Sequence, residues 1–207
     1  MKGLVITHKG FEKYSSEEVK ELIGKDCVEE DTVSIFDCDE TDLQKLCYLG
    51  KTFIKVISLM EKGDINDIDN IKGIIPEGTF RVKCKRIGKH EFSSTDVEKK
   101  IGAIIAEESK QKVDLENPQH IVYIYIYQKQ FYIGYDISHN DLSKRDYKIF
   151  IHPSSIKGTL ASCILRHACY KKEKTFLDPF CGSGTICIEA ALFSSGISQH
   201  FFNKKNL

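Results

Sequence analysis

The run Leu177-Asp178-Pro179-Phe180-Cys181-Gly182-Ser183-Gly184-Thr185 carries the strongest chemical signal in the chain. Apolar residues, a carboxylate and two glycines one residue apart spell a strand, a sharp turn and the start of a helix. Glycine at 182 and 184 lets the backbone turn tightly and lets a ligand come close to it. Two nucleotide-type cofactors use such a turn. A dinucleotide fingerprint needs a third Gly or Ala three residues on and an acidic residue about twenty later. Here position 187 is Cys and the later region reads Lys204-Lys205-Asn206, so NAD is disfavoured. S-adenosylmethionine has no pyrophosphate to cradle but has an α-ammonium, which Asp178 at the strand end could answer. Gly50-Lys51-Thr52 invites a P-loop reading, but Lys45 stands where the first glycine is required, and that reading fails.

Two further groupings bear on binding. Arg81, Lys83, Lys85, Arg86, Lys89 and His90 concentrate positive charge in one short segment. Alternation along a strand sends 81, 83 and 85 to one face and turns Val82 and Cys84 inward. The competing reading is a solvated strand edge guarded by lysines. Tyr123, Tyr125 and Tyr127 share one strand face, with Val122, Ile124 and Ile126 on the other. Bases can stack on such a stripe, although packing under a helix is the commoner use. His152, ahead of Pro153, reads as a turn or pocket residue with no catalytic role.

The elements that must position these groups alternate along the chain. Leu4–Ile6, Thr32–Phe36 and Phe53–Met60 read as strands; a helix begins at Ser15-Ser16 and stops at Gly24, and another runs from a Thr41 cap to Gly50. Residues 63–75 read as a connecting helix. A strand over Thr79–Lys85 precedes a helix opened by Ser93-Ser94-Thr95-Asp96, in which Glu98 follows Thr95 by three residues as in a capping box. His120–Tyr127 and Phe131–Ile137 form a hairpin. Beyond Asp141, Tyr147–Ile151 is a short strand, Ile156–Cys169 a helix, Thr175–Asp178 a strand, and Gly184 to about Phe193 a helix. This last pattern opens an α/β domain.

Composition is that of an ordinary globular chain: 207 residues, 41% hydrophobic, 29% charged, four prolines. That length suits one and a half to two small domains. No apolar run is long enough to span a bilayer, and the first residues hold too short an apolar stretch for a signal peptide, which predicts a cytoplasmic chain. The eight cysteines form no C-x-x-C pair and no zinc pattern, so no metal site and reduced thiols are expected. The formal net charge is zero, yet residues 1–70 hold nine Lys and Arg against sixteen Asp and Glu, and residues 71–207 hold twenty-one against fourteen. An acidic first third on a basic remainder fits either a polyanion partner for the second part or two solvated surfaces of differing composition.

Taken together these residues resemble the THUMP domain-containing, S-adenosylmethionine-dependent RNA methyltransferases, the family of the tRNA (guanine(6)-N2)-methyltransferases and the THUMP rRNA guanine-N2 methyltransferases. Asp178 to Thr185 with Ile188-Glu189-Ala190-Ala191 is similar to the family's first methyltransferase motif. His152-Pro153-Ser154-Ser155-Ile156-Lys157-Gly158-Thr159-Leu160-Ala161 resembles the segment just upstream, which in the family lies along the cofactor. Phe80-Arg81-Val82, Arg86 to Ser94, Ile101-Gly102 and Val113 to Pro118 resemble the THUMP pattern in order and spacing, and Gly10-Phe11-Glu12 extends the match towards the start.

The resemblance implies a mixed α/β and α+β chain in three parts: an N-terminal ferredoxin-like domain over 1–62, a THUMP RNA-binding domain over 63–146, and the start of a Rossmann-like methyltransferase domain over 147–207. It implies S-adenosylmethionine as cofactor, held by Pro153, Lys157, Asp178, Pro179, Phe180, Cys181, Gly182, Ser183, Gly184 and Thr185. Arg81, Lys83, Lys85, Arg86, Lys89 and His90 become the RNA contacts, with tRNA, or else rRNA, as partner. The family reaction is methyl transfer to a guanine exocyclic amine, served by an Asn/Asp-Pro-Pro-Tyr/Phe loop. In these 207 residues no two prolines are adjacent, so that loop and any catalytic residue are missing, as is the acidic residue of the second strand that binds the ribose. Two readings follow: the RNA-binding and cofactor-entry portion of a tRNA guanine-N2 methyltransferase, inactive alone, or a non-catalytic THUMP module that pairs with a separate polypeptide. A lone βα unit cannot bury both faces of a parallel strand, so residues after about 150 are expected to rest on the preceding helix or on a missing partner.

Overall fold

A computed structural model describes residues 1–74, 77–149, 152 and 154–201. The chain divides into two compact units. One comprises residues 57–136 with Met1 and Lys2; the other comprises 3–56 with the described residues from 137 onward.

The first unit is a sheet covered by one long helix. Strand β4 (Lys55–Asp64) pairs antiparallel with β7 (Gln130–Asp136), β7 antiparallel with β6 (His120–Tyr127), and β6 parallel with β5 (Phe80–Ile87). The β-branched run of β6 lays Val122, Ile124 and Ile126 on the face that meets Val97, Ile101 and Ile105 of helix α3 (Ser94–Ser109), with Phe80, Val82, Phe131 and Ile133 completing the core. Ser93 caps α3, but the reciprocal carboxylate is Asp96, whose Oδ2 accepts the Ser93 N–H at 2.8 Å. Glu98 is engaged elsewhere, accepting the backbone N–H of Cys84 at 2.7 Å. The expected helix over 63–75 gives way to a longer β4 and a 3-10 turn, Ile65–Asn70.

In the second unit, β3 (Val33–Asp37) lies between β1 (Lys2–Ile6) and β2 (Cys27–Glu30), pairing antiparallel with β2. Helices α1 (Glu12–Ile23) and α2 (Glu40–Leu49) supply Val19, Leu43, Leu46 and Cys47 to a core with Val5, Phe36, Phe53 and Val56. Leu142 joins that core from the later part of the chain, its N–H bonded to the Ile54 carbonyl at 3.0 Å. Helix α1 starts earlier than Ser15, with Phe11 at its N-cap; Ser15 is buried inside it and donates to Thr7 Oγ1. Helix α2 is capped by Asp39 and Asp42 in place of Thr41.

Helices α4 (Gly158–His167) and α5 (Thr185–Ser195) pack on each other, and α4 packs on α1. The later part of the chain therefore rests on residues 3–56, a support that the sequence pattern did not reveal. No strand forms at 147–149 or 175–178, the other residues of the first expected strand lying outside the described ones. A parallel strand is held by neighbours on both sides, and no described residue pairs with 175–178; Leu177 there is 82% exposed.

Candidate cofactor cleft and RNA-binding surface

The glycine turn connects 175–178 to α5. Gly182 and Gly184 adopt left-handed backbone (φ of 54° and 71°), and Gly184 is the N-cap of α5. A Cβ on either would meet nothing closer than 3.9 Å, so glycine is required there by backbone conformation and not by crowding. Against this turn stand His152, Ser154 and Ser155. A cleft of about 410 Å³ is lined by His152, Ser154, Ser155, Gly182 and Ser183. Three hydroxyls meet at its edge: Ser155 Oγ lies 2.9 Å from Ser183 Oγ and 3.2 Å from Thr185 Oγ1, and Ser183 and Thr185 are 3.1 Å apart.

The other expected cofactor residues stand as follows. Asp178 is half-buried and does not itself line the cleft; its Oδ1 accepts the Phe180 N–H at 3.1 Å, which leaves Oδ2 outside that turn. Pro179 and Cys181 are exposed, and Phe180 is 93% exposed. Thr185 is buried. Lys157 is exposed at the N-cap of α4 and does not line the cleft. Pro153 lies outside the described residues.

The same unit holds a buried charged network. Arg145 and Glu189 are both completely buried; Arg145 Nε donates to Glu189 Oε1 at 2.8 Å and Nη2 to Oε2 at 3.2 Å. Glu189 also accepts from Tyr147 Oη (2.7 Å) and Ser162 Oγ (2.6 Å), and Arg145 donates to the carbonyls of Leu142 and Lys51. Burial and the neighbouring Glu189 push the Tyr147 phenol well above its ordinary range. A Cβ on Gly158 would collide with both Arg145 and Glu189, so the glycine of Lys157-Gly158-Thr159 makes room for the ion pair. The Lys51 peptide is gripped from its other side too. Glu18 of α1 accepts the N–H groups of Lys51 and Thr52 and the Thr52 hydroxyl, and Arg166 of α4 reaches Glu18 (3.4 Å) and Glu21 (2.7 Å).

One further cation reaches the cleft wall. Lys148 Nζ donates to Ser155 Oγ at 2.8 Å and to the Ile156 carbonyl. Burial lowers its pKa from the usual lysine value.

The basic segment lies on β5 and the loop after it. The register sets Lys83 beside Tyr123 and Lys85 beside Tyr125, and Lys83, Lys85, Arg86 and Lys89 form no salt bridge among the described residues. Arg81 donates through Nη1 to the Leu115 carbonyl at 2.8 Å and lines a groove of about 350 Å³ with Val82, Glu98, Gly102 and Leu115. The Arg86 guanidinium sits 6.0 Å from the Phe92 ring centroid. His90 is tied down, its Nε2 bonding the Gln128 carbonyl oxygen at 2.6 Å. Tyr123, Tyr125 and Tyr127 are buried (7%, 1% and 8% exposed), so the stripe offers bases no open surface. Tyr125 stacks instead on Tyr132, with ring centroids 6.2 Å apart.

Residues 65–136 match the family model of the THUMP domain, and residues 145–206 match that of the RMKL-like methyltransferase domain. The chain thus carries, in this order, a segment that matches a THUMP domain and one that matches an RMKL-like methyltransferase domain. It is 29% identical, over 216 aligned residues, to the tRNA (guanine(6)-N2)-methyltransferase of Methanocaldococcus jannaschii, covering 94% of this chain and 57% of that relative. Among solved structures, TrmN from Thermus thermophilus superposes with a TM-score of 0.65 at 25% identity, covering 93% of this chain and 62% of that one. SMU.472, complexed with SAH, shares the fold with a TM-score of 0.75 at 21% identity, covering 98% and 57%. The chain spans somewhat more than half the length of this relative and of these solved structures. No described helix is long and apolar enough to cross a membrane.

Sequence reasoning reached the glycine turn and the 152–157 segment but missed Lys148, Arg145 and Glu18. A signal for Arg145 and Tyr147 was present. An arginine and a tyrosine stand close ahead of His152, and an isolated carboxylate, Glu189, stands in the otherwise apolar turn Ile188-Glu189-Ala190-Ala191.

Proposed function

We propose that the chain is the RNA-binding and cofactor-entry portion of an S-adenosylmethionine-dependent tRNA guanine-N2 methyltransferase acting in the cytoplasm. The observation that carries this reading is the convergence of His152, Ser154 and Ser155 on Gly182 and Ser183, in a chain whose preceding residues match a THUMP domain. The cleft falls in the range of about 300–1,000 Å³ usual for ligand sites, and its walls of small hydroxyl residues and glycine suit a polar nucleoside ligand. The name of the M. jannaschii relative and the SAH complexed with SMU.472 support the same choice.

On this reading S-adenosylmethionine supplies an electrophilic methyl group on a sulfonium. Gly182 and Gly184 admit the ligand close to the backbone, Ser183 and Thr185 offer hydroxyls, and the Asp178 carboxylate faces the ammonium. Pro179, Phe180 and Cys181 of the turn, with Lys157, complete the proposed cofactor set. Arg81, Lys83, Lys85 and Arg86, with Lys89 and His90 at the loop, track phosphates of the RNA. Residues 1–62, in the order β1-α1-β2-β3-α2-β4, form a ferredoxin-like domain; residues 63–146 are the THUMP domain and 147–207 the start of the methyltransferase domain.

The test uses the 207-residue chain with tRNA and radiolabelled S-adenosylmethionine. The expected result is salt-sensitive tRNA binding with no methyl incorporation. Methyl transfer appearing only on addition of a polypeptide that carries an Asn-Pro-Pro-Tyr loop would favour the two-chain reading. Turnover by the chain alone would mean that it holds a catalytic group of its own, and absence of tRNA binding would remove the RNA-binding role.

A further inference from the structure

The hydroxyl cluster at the cleft has a built-in direction. An ammonium group only donates hydrogen bonds, so Ser155 Oγ must accept from Lys148 Nζ, 2.8 Å away. The single Ser155 proton is then free to point elsewhere, towards Ser183 Oγ (2.9 Å) or Thr185 Oγ1 (3.2 Å) or into the cleft that Ser155 lines. Each hydroxyl in the chain has one proton to give, and the series begins at a cation, so it ends in a donor. A cation-backed donor series is polarised in favour of an anionic acceptor. The charge behind it is not cancelled locally. Glu189, a nearby carboxylate, is already committed to Arg145, Tyr147 and Ser162, and Lys148 forms no salt bridge among the described residues.

We propose that Lys148 is a positioning residue that acts through Ser155 to make the cleft selective for a ligand carrying a carboxylate, the anionic end of the amino-acid arm of the methyl donor. This rests on the cofactor reading above. It gives the arm two complementary contacts: Asp178 for its ammonium, and the Lys148–Ser155 pair with Ser183 for its carboxylate. Arg145 and Tyr147, fastened to Glu189, fix the segment from which Lys148 projects.

The experiment compares two ligands of the full chain by titration calorimetry: S-adenosylhomocysteine, and 5′-methylthioadenosine, the same nucleoside thioether without the amino-acid arm. Lys148→Met should weaken S-adenosylhomocysteine binding by about tenfold, the scale of one charge-assisted hydrogen bond, and leave methylthioadenosine binding unchanged. Ser155→Ala should repeat that selective loss, and Lys148→Arg should restore most of the affinity in the lysine series. Unchanged S-adenosylhomocysteine affinity in Lys148→Met overturns the proposal, and so does an equal loss for both ligands. If the wild-type chain binds neither ligand, the cofactor reading itself fails; if it binds S-adenosylhomocysteine and the variants do not discriminate, only the role of Lys148 fails.

Discussion

Replacing Glu189 by Gln probes whether the methyltransferase segment is fastened to residues 3–56 by the buried network. The carboxylate accepts four hydrogen bonds, two from Arg145 at 2.8 and 3.2 Å, one from Tyr147 at 2.7 Å and one from Ser162 at 2.6 Å, with both charged side chains fully buried. Gln keeps the volume but removes the charge and turns one acceptor into an NH₂ group facing donors. Arg145 keeps its bonds to the Leu142 and Lys51 carbonyls, yet remains a buried cation with no counter-ion. Removing one partner of a buried ion pair costs about 3–5 kcal/mol. At roughly 2–4 °C per kcal/mol for a chain of this size, the melting temperature should fall by about 6–20 °C. Thermal unfolding followed by circular dichroism reads the shift. The double variant Arg145→Met with Glu189→Gln should recover part of the loss, because no uncompensated buried charge remains while the new glutamine keeps an acceptor for Tyr147 and Ser162. A fall smaller than about 1 kcal/mol in Glu189→Gln, or a double variant no better than the single one, would refute the reasoning.

Further outcomes follow from the same geometry. Lys83→Ala, Lys85→Ala and Arg86→Ala combined should weaken tRNA binding and flatten its dependence on log salt by roughly two units, at about 0.7–0.9 for each phosphate no longer neutralised; an unchanged slope would take the segment out of the interface. Burial holds the His200 pKa below its ordinary 6.5, against the opposing pull of Asp146. The folded state thus binds this proton less readily than the unfolded chain, so stability is full above pH 6.5 and declines as pH falls towards the lowered value. Melting curves between pH 7.5 and 5 should show this component, and His200→Gln should remove it; an identical pH profile in the variant would sink the assignment. Exposed Cys169 and Cys181 should react first with a thiol reagent, while Cys163, its thiol pushed up to about 12 by burial, stays unreacted in the folded chain. S-adenosylhomocysteine should then protect Cys181 and leave Cys169 unaffected, as mass spectrometry of the labelled peptides would show.

Local chemistry was the legible part. Ser93 ahead of an i, i+3, i+4 apolar pattern marked α3, and the β-branched run of β6 marked a strand, because both signals come from a few neighbouring residues. The glycines at 182 and 184 were equally readable, since a left-handed turn restricts residue type directly. What failed depended on partners distant in sequence. Thr175–Asp178 has strand composition, but a parallel strand exists only beside others. Glu98 looked like a capping-box carboxylate until Cys84, fourteen residues earlier, supplied a competing N–H. Strand β2 is short and exposed at its centre, Val28 included, with only Cys27 and Glu30 half-buried, so it shows no apolar alternation. Lys148 was passed over because a lysine on a loop normally reads as solvated, and only the tertiary approach of Ser155 gives it a task.

Hydrogen–deuterium exchange of the intact chain, with and without saturating S-adenosylhomocysteine, tests the central claim most directly. The cleft that His152, Ser154 and Ser155 form with the glycine turn predicts slowed exchange in the peptides that carry these residues and in those spanning 178–187, with residues 80–127 unaffected. Ligand protection that falls elsewhere, or saturating ligand that protects neither segment, would contradict it.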